Sequence, residues 1–251
     1  MHVDTQQAIP ALAAAQHDLP LARTSIVVSL LLFIAGIVFD LIAYPGVAAD
    51  AGSALPIYLG VAGVIAGGYL AIAVGDTRHV TPAKALAIRS GLRWGVLVGG
   101  LWLIEVVAGN VFTTPTLADR IVYEVATTSA FLLPGIVSGL AAYQTGKVAM
   151  GIRASIWCGM IGALITAILG LQVIIQVTLL LGIGQHDPQN IQQFHTSHSH
   201  DLAGFIVGDA LVGAINHLWL IGLVFSALVG VVGALIGKAL AGSSRTVSNG
   251  L

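Results

Sequence analysis

The chain has 251 residues, 57% of them hydrophobic and only 8% charged, with a mean hydropathy of +0.94 and a formal net charge of −1. Soluble domains carry about 25% charged residues, and no polar block here is long enough to form one, so composition excludes a soluble globular protein and points to a single membrane domain. A nucleic-acid partner is excluded too, because the ten Lys and Arg residues sit at the ends of apolar runs, where topology accounts for them.

Residues 1–23, rich in Ala and Gln, read as a cytoplasmic N-terminal tail. The first apolar run, 24–43, contains Asp40. Arg23, this run and the following Val47-Ala48-Ala49 have the order of a signal peptide with its cleavage site. The run is longer than a usual signal core and holds an acid, so an uncleaved span is expected. Further runs follow at 55–74, 85–109, 121–143, 152–183 and 218–240. Each can cross a bilayer, which takes about 20 apolar residues at ~1.5 Å rise. The expected fold is an all-α, polytopic transmembrane helix bundle of six spans occupying 24–240, with 241–251 as a C-terminal tail.

Threading the chain alternately puts Arg23, Arg78, Lys84, Arg89, Arg93, Lys147, Arg153, Lys238 and Arg245 on one face and only Arg120 on the other. The positive-inside rule makes the basic face cytoplasmic, with both termini inside, and the plasma membrane is the expected location.

Two helical hairpins share a pattern. The second span carries Gly63 and Gly67, and the fourth carries Gly135 and Gly139. Each is followed, across a cytoplasmic loop, by Ile-Arg and then small residues at every fourth position. The third span has Ile88-Arg89, Gly91, Gly95 and Gly99; the fifth has Ile152-Arg153, Ser155, Gly159 and Ala163. That spacing puts small residues on one helix face, where backbones approach closely in lipid. A parallel internal repeat of hairpins is expected, and the same ladders suit packing within one chain or a homo-oligomer. The lone cysteine, Cys158, reads as a small buried hydrophobe.

The acids are sorted in the opposite sense to the bases. Asp40, Asp50, Glu105, Asp119, Glu124, Asp187, Asp201 and Asp209 belong to the outer half. Asp40 follows Arg23 by 17 residues and Glu105 follows Arg89 by 16, so both lie at nearly one depth. Intramembrane acids are costly and mark ion or proton pathways. One reading therefore has Asp40, Glu105 and Glu124 lining an outward vestibule; the other leaves them in the headgroup zone, hydrated or paired with Arg120. Gln172 and Gln176, on one face of the fifth span, suit interhelical hydrogen bonds.

The longest connection, 184–201, holds four of the eight histidines and two aspartates, with no Lys or Arg. His195, His198, His200 and Asp201 are the candidate ligands for Zn²⁺, Ni²⁺ or Cu²⁺. A solvated polar loop is the alternative. Residues 202–240 are too many for one crossing and too few for two. Segment 202–215 is thus an outward extension of the last helix, an interfacial helix or a re-entrant segment, with the cap spanning 184–217. Asp209 and His217, eight residues apart, are candidates to complete a site with the loop or to pair with each other.

The motifs of nucleotide hydrolysis, zinc proteolysis, serine hydrolysis and c-type haem attachment are absent from the sequence, and an enzyme is not expected. Two function classes remain. The first is a small permease or channel-like transporter for a cation, divalent or proton-coupled, with Asp40, Glu105, Glu124, Asp209 and His217 as its intramembrane polar candidates. The second is a non-catalytic membrane subunit or scaffold whose outer loop binds a partner membrane protein. No Gly- or Pro-broken helix marks a transport site, apart from Pro134 in the fourth span.

Overall fold

A computed structural model describes residues 5–111, 116–197, 199 and 201–248. Helix makes up 94% of the structure, with no strand among the described residues. Backbone polar groups are therefore satisfied within each segment, as a hydrocarbon environment demands.

In chain order the elements are α1 (Thr5–Ala43), α2 (Pro45–Ala51), α3 (Leu55–Arg78), α4 (Pro82–Val111), α5 (Leu117–Thr145), α6 (Val148–Ile165), α7 (Ile175–Leu180), α8 (Pro188–Ser197), α9 (Leu202–Asn216) and α10 (Ser226–Ser248). Nine-residue π-helical stretches, Thr166–Ile174 and His217–Phe225, join α6 to α7 and α9 to α10 without a break. Six helices are long and apolar enough to cross a bilayer: Leu19–Ala43, Leu55–Arg78, Pro82–Asn110, Leu117–Thr145, Val148–Leu180 and Leu202–Ser243. Their outward faces are aliphatic, with Ile42, Val64, Val125 and Leu228 all well exposed. Lipid is the solvent such a surface fits.

Helix boundaries follow local chemistry. Pro45 pushes Tyr44 out of the helical region (φ −126°, ψ 77°) and ends α1. Thr116 and Asp119 form a capping box at the start of α5. Gly146 (φ 68°) and Gly182 (φ 73°) close α5 and α7 in the left-handed conformation that favours glycine. The helices outrun the apolar runs at both chain ends: α1 begins at Thr5 and α10 continues to Ser248, so much of each expected tail is helical. Asp76 to Arg78, expected in a loop, form the last turn of α3.

The fifth crossing is the hub. Its most apolar window is 61% buried, against 39% at most for any other crossing. Small residues bring its neighbours onto it. A Cβ added at Gly91 would lie 2.6 Å from the Ala154 carbonyl, and one at Gly95 2.8 Å from the Cys158 carbonyl. On the opposite side Gly159 meets Gly222 and Ser226, Gly151 meets Ser138, and Ser155 Oγ donates to the Ser226 carbonyl at 2.6 Å. Gly135 and Gly139 of α5 face Gly233 and Gly237 of α10 backbone to backbone. Gly63 and Gly67 differ: a side chain there would meet nothing within 4 Å, so the close approach expected of that pair is not made within this chain. The two hairpins share a pattern but not its surroundings.

Residues 202–215 continue without a break into the last helix. They form the first part of one helix whose apolar stretch, Leu202–Ser243, is 42 residues long. At 1.5 Å per residue that is about 63 Å, roughly twice a bilayer core. The excess is stable because α9 buries Ile206, Val207, Leu211 and Ile215, packing mainly on the Thr166–Ile174 stretch and α2. Gly222 lies opposite Gly159 and Ala163, while Gly213 lies opposite Leu171. The fifth and sixth crossings are therefore antiparallel, and their π stretches follow one another in depth.

Tyr69 of α3 is fully buried, and its hydroxyl donates to the Leu218 carbonyl at 2.7 Å inside the second π stretch. Tyr69→Phe is expected to cost about 1–2 kcal/mol by leaving that carbonyl without its donor. A lower midpoint of thermal unfolding in detergent, with an unchanged elution profile, is the expected reading.

Candidate intramembrane polar site

Three helices converge in the half of the bundle away from its basic end. Helix α4 presents Trp102 and Glu105 one turn apart. Helix α5, running the other way, presents Tyr123, Thr127 and Phe131 at successive turns, and the start of the second π stretch presents His217. The Trp102 ring meets Phe131 edge-on at 5.0 Å and His217 edge-on at 5.1 Å, and Phe131 meets Phe225 at 4.7 Å. Glu105 is half-buried and lies close to the Tyr123 hydroxyl.

Three polar atoms in this layer are buried without a protein partner: Trp102 Nε1, Thr127 Oγ1 and His217 Nε2. Each such group costs about 1–3 kcal/mol, and unsatisfied groups in native proteins concentrate where function needs them. His217 Nδ1 lies 3.3 Å from the Gly213 carbonyl one turn earlier. A carbonyl only accepts, so Nδ1 carries the proton and Nε2 presents its lone pair to the site. The layer thus offers a buried acceptor, an indole donor, a hydroxyl and a carboxylate. Such a set can hold or pass a proton or bind a small cationic group.

The remaining polar candidates lie elsewhere. Asp40 is buried against the fifth crossing, where Gln176 Nε2 donates to its Oδ1 at 2.8 Å and the Tyr44 hydroxyl donates to Gln176 Oε1 at 2.6 Å. Burial and, second, the neighbouring Asp40 charge raise the Tyr44 phenol above its ordinary range, which keeps it a donor. Gln172 Nε2 donates to the Phe33 carbonyl at 3.1 Å, so both glutamines make the interhelical bonds expected of them. Glu124 is exposed on the outside of α5. Asp40, Glu105 and Glu124 therefore do not line one vestibule. Asp40 faces α7, Glu105 faces α5, and Glu124 faces outward.

Asp209 is exposed and borders a cavity of about 300 Å³ between α2, α3 and α9, together with Asp50, Tyr58 and Val212. His217 turns instead to α4. The two do not converge, because the helix shows them to different neighbours.

The connection 184–201 is largely helical among its described residues. It forms α8, capped by Asp187, which accepts from Gln189 N at 2.8 Å. Asp201 caps α9 by accepting from Gly204 N and packs on Gly46, and Ser199 hydrogen-bonds Asp50. Its carboxylate is thereby committed to the fold. His195 sits on α8 beside Phe194. His198 and His200 lie outside the described residues. Among the described residues no three His, Cys, Asp or Glu side chains come together as a metal would require.

A second polar cluster was not foreseen. At the basic end of the bundle, Arg153 Nε donates to Asp76 Oδ1 at 2.8 Å and the fully buried Trp157 donates through Nε1 to Asp76 Oδ2 at 2.9 Å. The available signal was that Asp76 is the sole acid on that face outside the N-terminal tail. The two π stretches were equally hidden, since a π turn needs neither Gly nor Pro; such turns recur at functional sites.

Fold and surface together define a multi-pass, all-α integral membrane protein. No family model, curated protein or solved structure matches the chain.

Proposed function

We propose that this protein is a small permease-like transporter for a cation, coupled to protons, with the layer of Glu105, Tyr123, Trp102, Thr127 and His217 as its transfer site. The observation that carries the reading is the set of unpartnered, buried polar atoms beside an intramembrane carboxylate. The adjoining π stretches support it, because a π turn can relax to α-helix and rotate the face that carries His217. No covalent catalysis is part of this reading, in keeping with the absence of hydrolase and nucleotide-binding motifs from the sequence. The charge asymmetry supports a cytoplasmic basic face, both termini inside and a plasma-membrane location. The shared order of small residues in two hairpins supports a duplicated packing scaffold beneath the site.

The test is flux in proteoliposomes, with monovalent and divalent cations each assayed across an imposed pH gradient. Glu105→Gln and His217→Gln are expected to lower flux roughly tenfold or more while leaving the elution profile intact. Unchanged flux in both variants would remove the layer from the mechanism. A second reading, a non-catalytic membrane subunit, is favoured by α8, none of whose residues is buried and which thus offers an outer docking face. Absence of flux for every cation tested in the wild type would leave that reading in the lead.

A further inference from the structure

A groove of about 440 Å³ runs along the bundle between α1, α4 and α6, beginning at the basic end. Ala22, Leu92, Val96, Leu164 and Ile165 make its walls apolar, and Arg89 and Arg93, one helical turn apart on α4, lie along it. A second groove of about 320 Å³ adjoins it at Leu19 and carries Arg23 and Arg78. Two arginines thus lie along the apolar slot, and two more line the groove that adjoins it. Arg23, Arg78 and Arg93 are exposed. The acid at this end of α3, Asp76, turns to Arg153 and Trp157 on the other side of the helix.

An apolar slot open to the bilayer suits an acyl chain, and a guanidinium cluster at the interface suits a phosphate, which Arg binds through paired hydrogen bonds. Basic pockets between helices at the membrane surface hold anionic headgroups in this way. We propose that this groove binds one anionic phospholipid from the leaflet on the basic side, with its phosphate at the exposed Arg93 and one acyl chain along Leu92, Val96 and Ile165. The inference rests on the membrane fold and the groove, and is independent of the transport reading.

The full chain, purified in detergent and incubated with equal amounts of phosphatidylglycerol and phosphatidylcholine of identical acyl chains, would be examined by native mass spectrometry. One retained phosphatidylglycerol is expected, favoured about tenfold or more over phosphatidylcholine. Arg89→Gln with Arg93→Gln should bring that preference close to unity. Val96→Trp, which fills the slot and leaves the charges alone, should lower retention of both lipids. Arg93→Gln alone and Val96→Trp keep the test intact should the double variant fail to fold. Equal retention of the two lipids by the wild type would overturn the proposal, as would an undiminished preference in the arginine variants. Full displacement of phosphatidylglycerol by equimolar glycerol phosphate would overturn it in favour of a site for a soluble phosphate.

Discussion

Gly159→Leu is expected to yield no folded protein. A Cβ at this position already meets the Ser226 side chain and lies 2.6 Å from the Gly222 carbonyl. Neither neighbour can withdraw, because Ser226 is tied by its own carbonyl to Ser155 at 2.6 Å, and Gly222 is flanked by Tyr69 and Ala163. Overpacking a core by a few methylenes costs about 1–3 kcal/mol when side chains can yield. Here the obstacle is backbone, and the cost falls on a total stability of only about 5–15 kcal/mol. Fluorescence-detected size exclusion of the tagged protein should show aggregate or no peak. Gly67→Leu is the internal control, since a side chain there meets nothing within 4 Å. A monodisperse Gly159→Leu variant with a wild-type unfolding midpoint would refute the hub role of the fifth crossing.

Asp76→Ala should be the most destabilising change at the basic end of the bundle. It removes the acceptor of both the Arg153 guanidinium, whose side chain is 24% exposed, and the buried Trp157 indole. Stranding a fully buried charge costs about 3–5 kcal/mol; the partial exposure of Arg153 lowers the expectation to about 2–3 kcal/mol. Removing the charge as well, in Asp76→Ala with Arg153→Met, should recover part of the loss, because the desolvation penalty goes with it. Unfolding midpoints of the wild type, the single and the double variant check this. A double variant less stable than the single would show that the cluster is not held by charge pairing.

Much of the fold was legible in the residues because the bilayer enforces local rules. An apolar run must be about 20 residues long to cross, and the six runs appear as six helices. The Thr116–Asp119 cap and the Tyr44–Pro45 stop were not read from the sequence, although each joins groups no more than three residues apart. Gln172 and Gln176 could be assigned interhelical bonds because polar amides in lipid need partners, although nothing local named Phe33 or Asp40 as those partners. The polar layer was half legible. Glu105 and His217 stood out as intramembrane polar groups, whereas Trp102, Tyr123 and Thr127 read as ordinary membrane-helix residues.

By itself, then, the sequence determined the class of protein and the number of apolar runs long enough to cross, since each depends on contiguous residues meeting lipid or water. The tertiary structure decided which polar groups face one another. Asp76 finds Arg153 at a separation of 77 residues, and Tyr69 finds Leu218 at 149. Both pairings depend on the rotation and register of whole helices. Those are set by backbone contacts such as Gly159 on Gly222 and Gly139 on Gly233, and hydropathy along one segment carries no record of them.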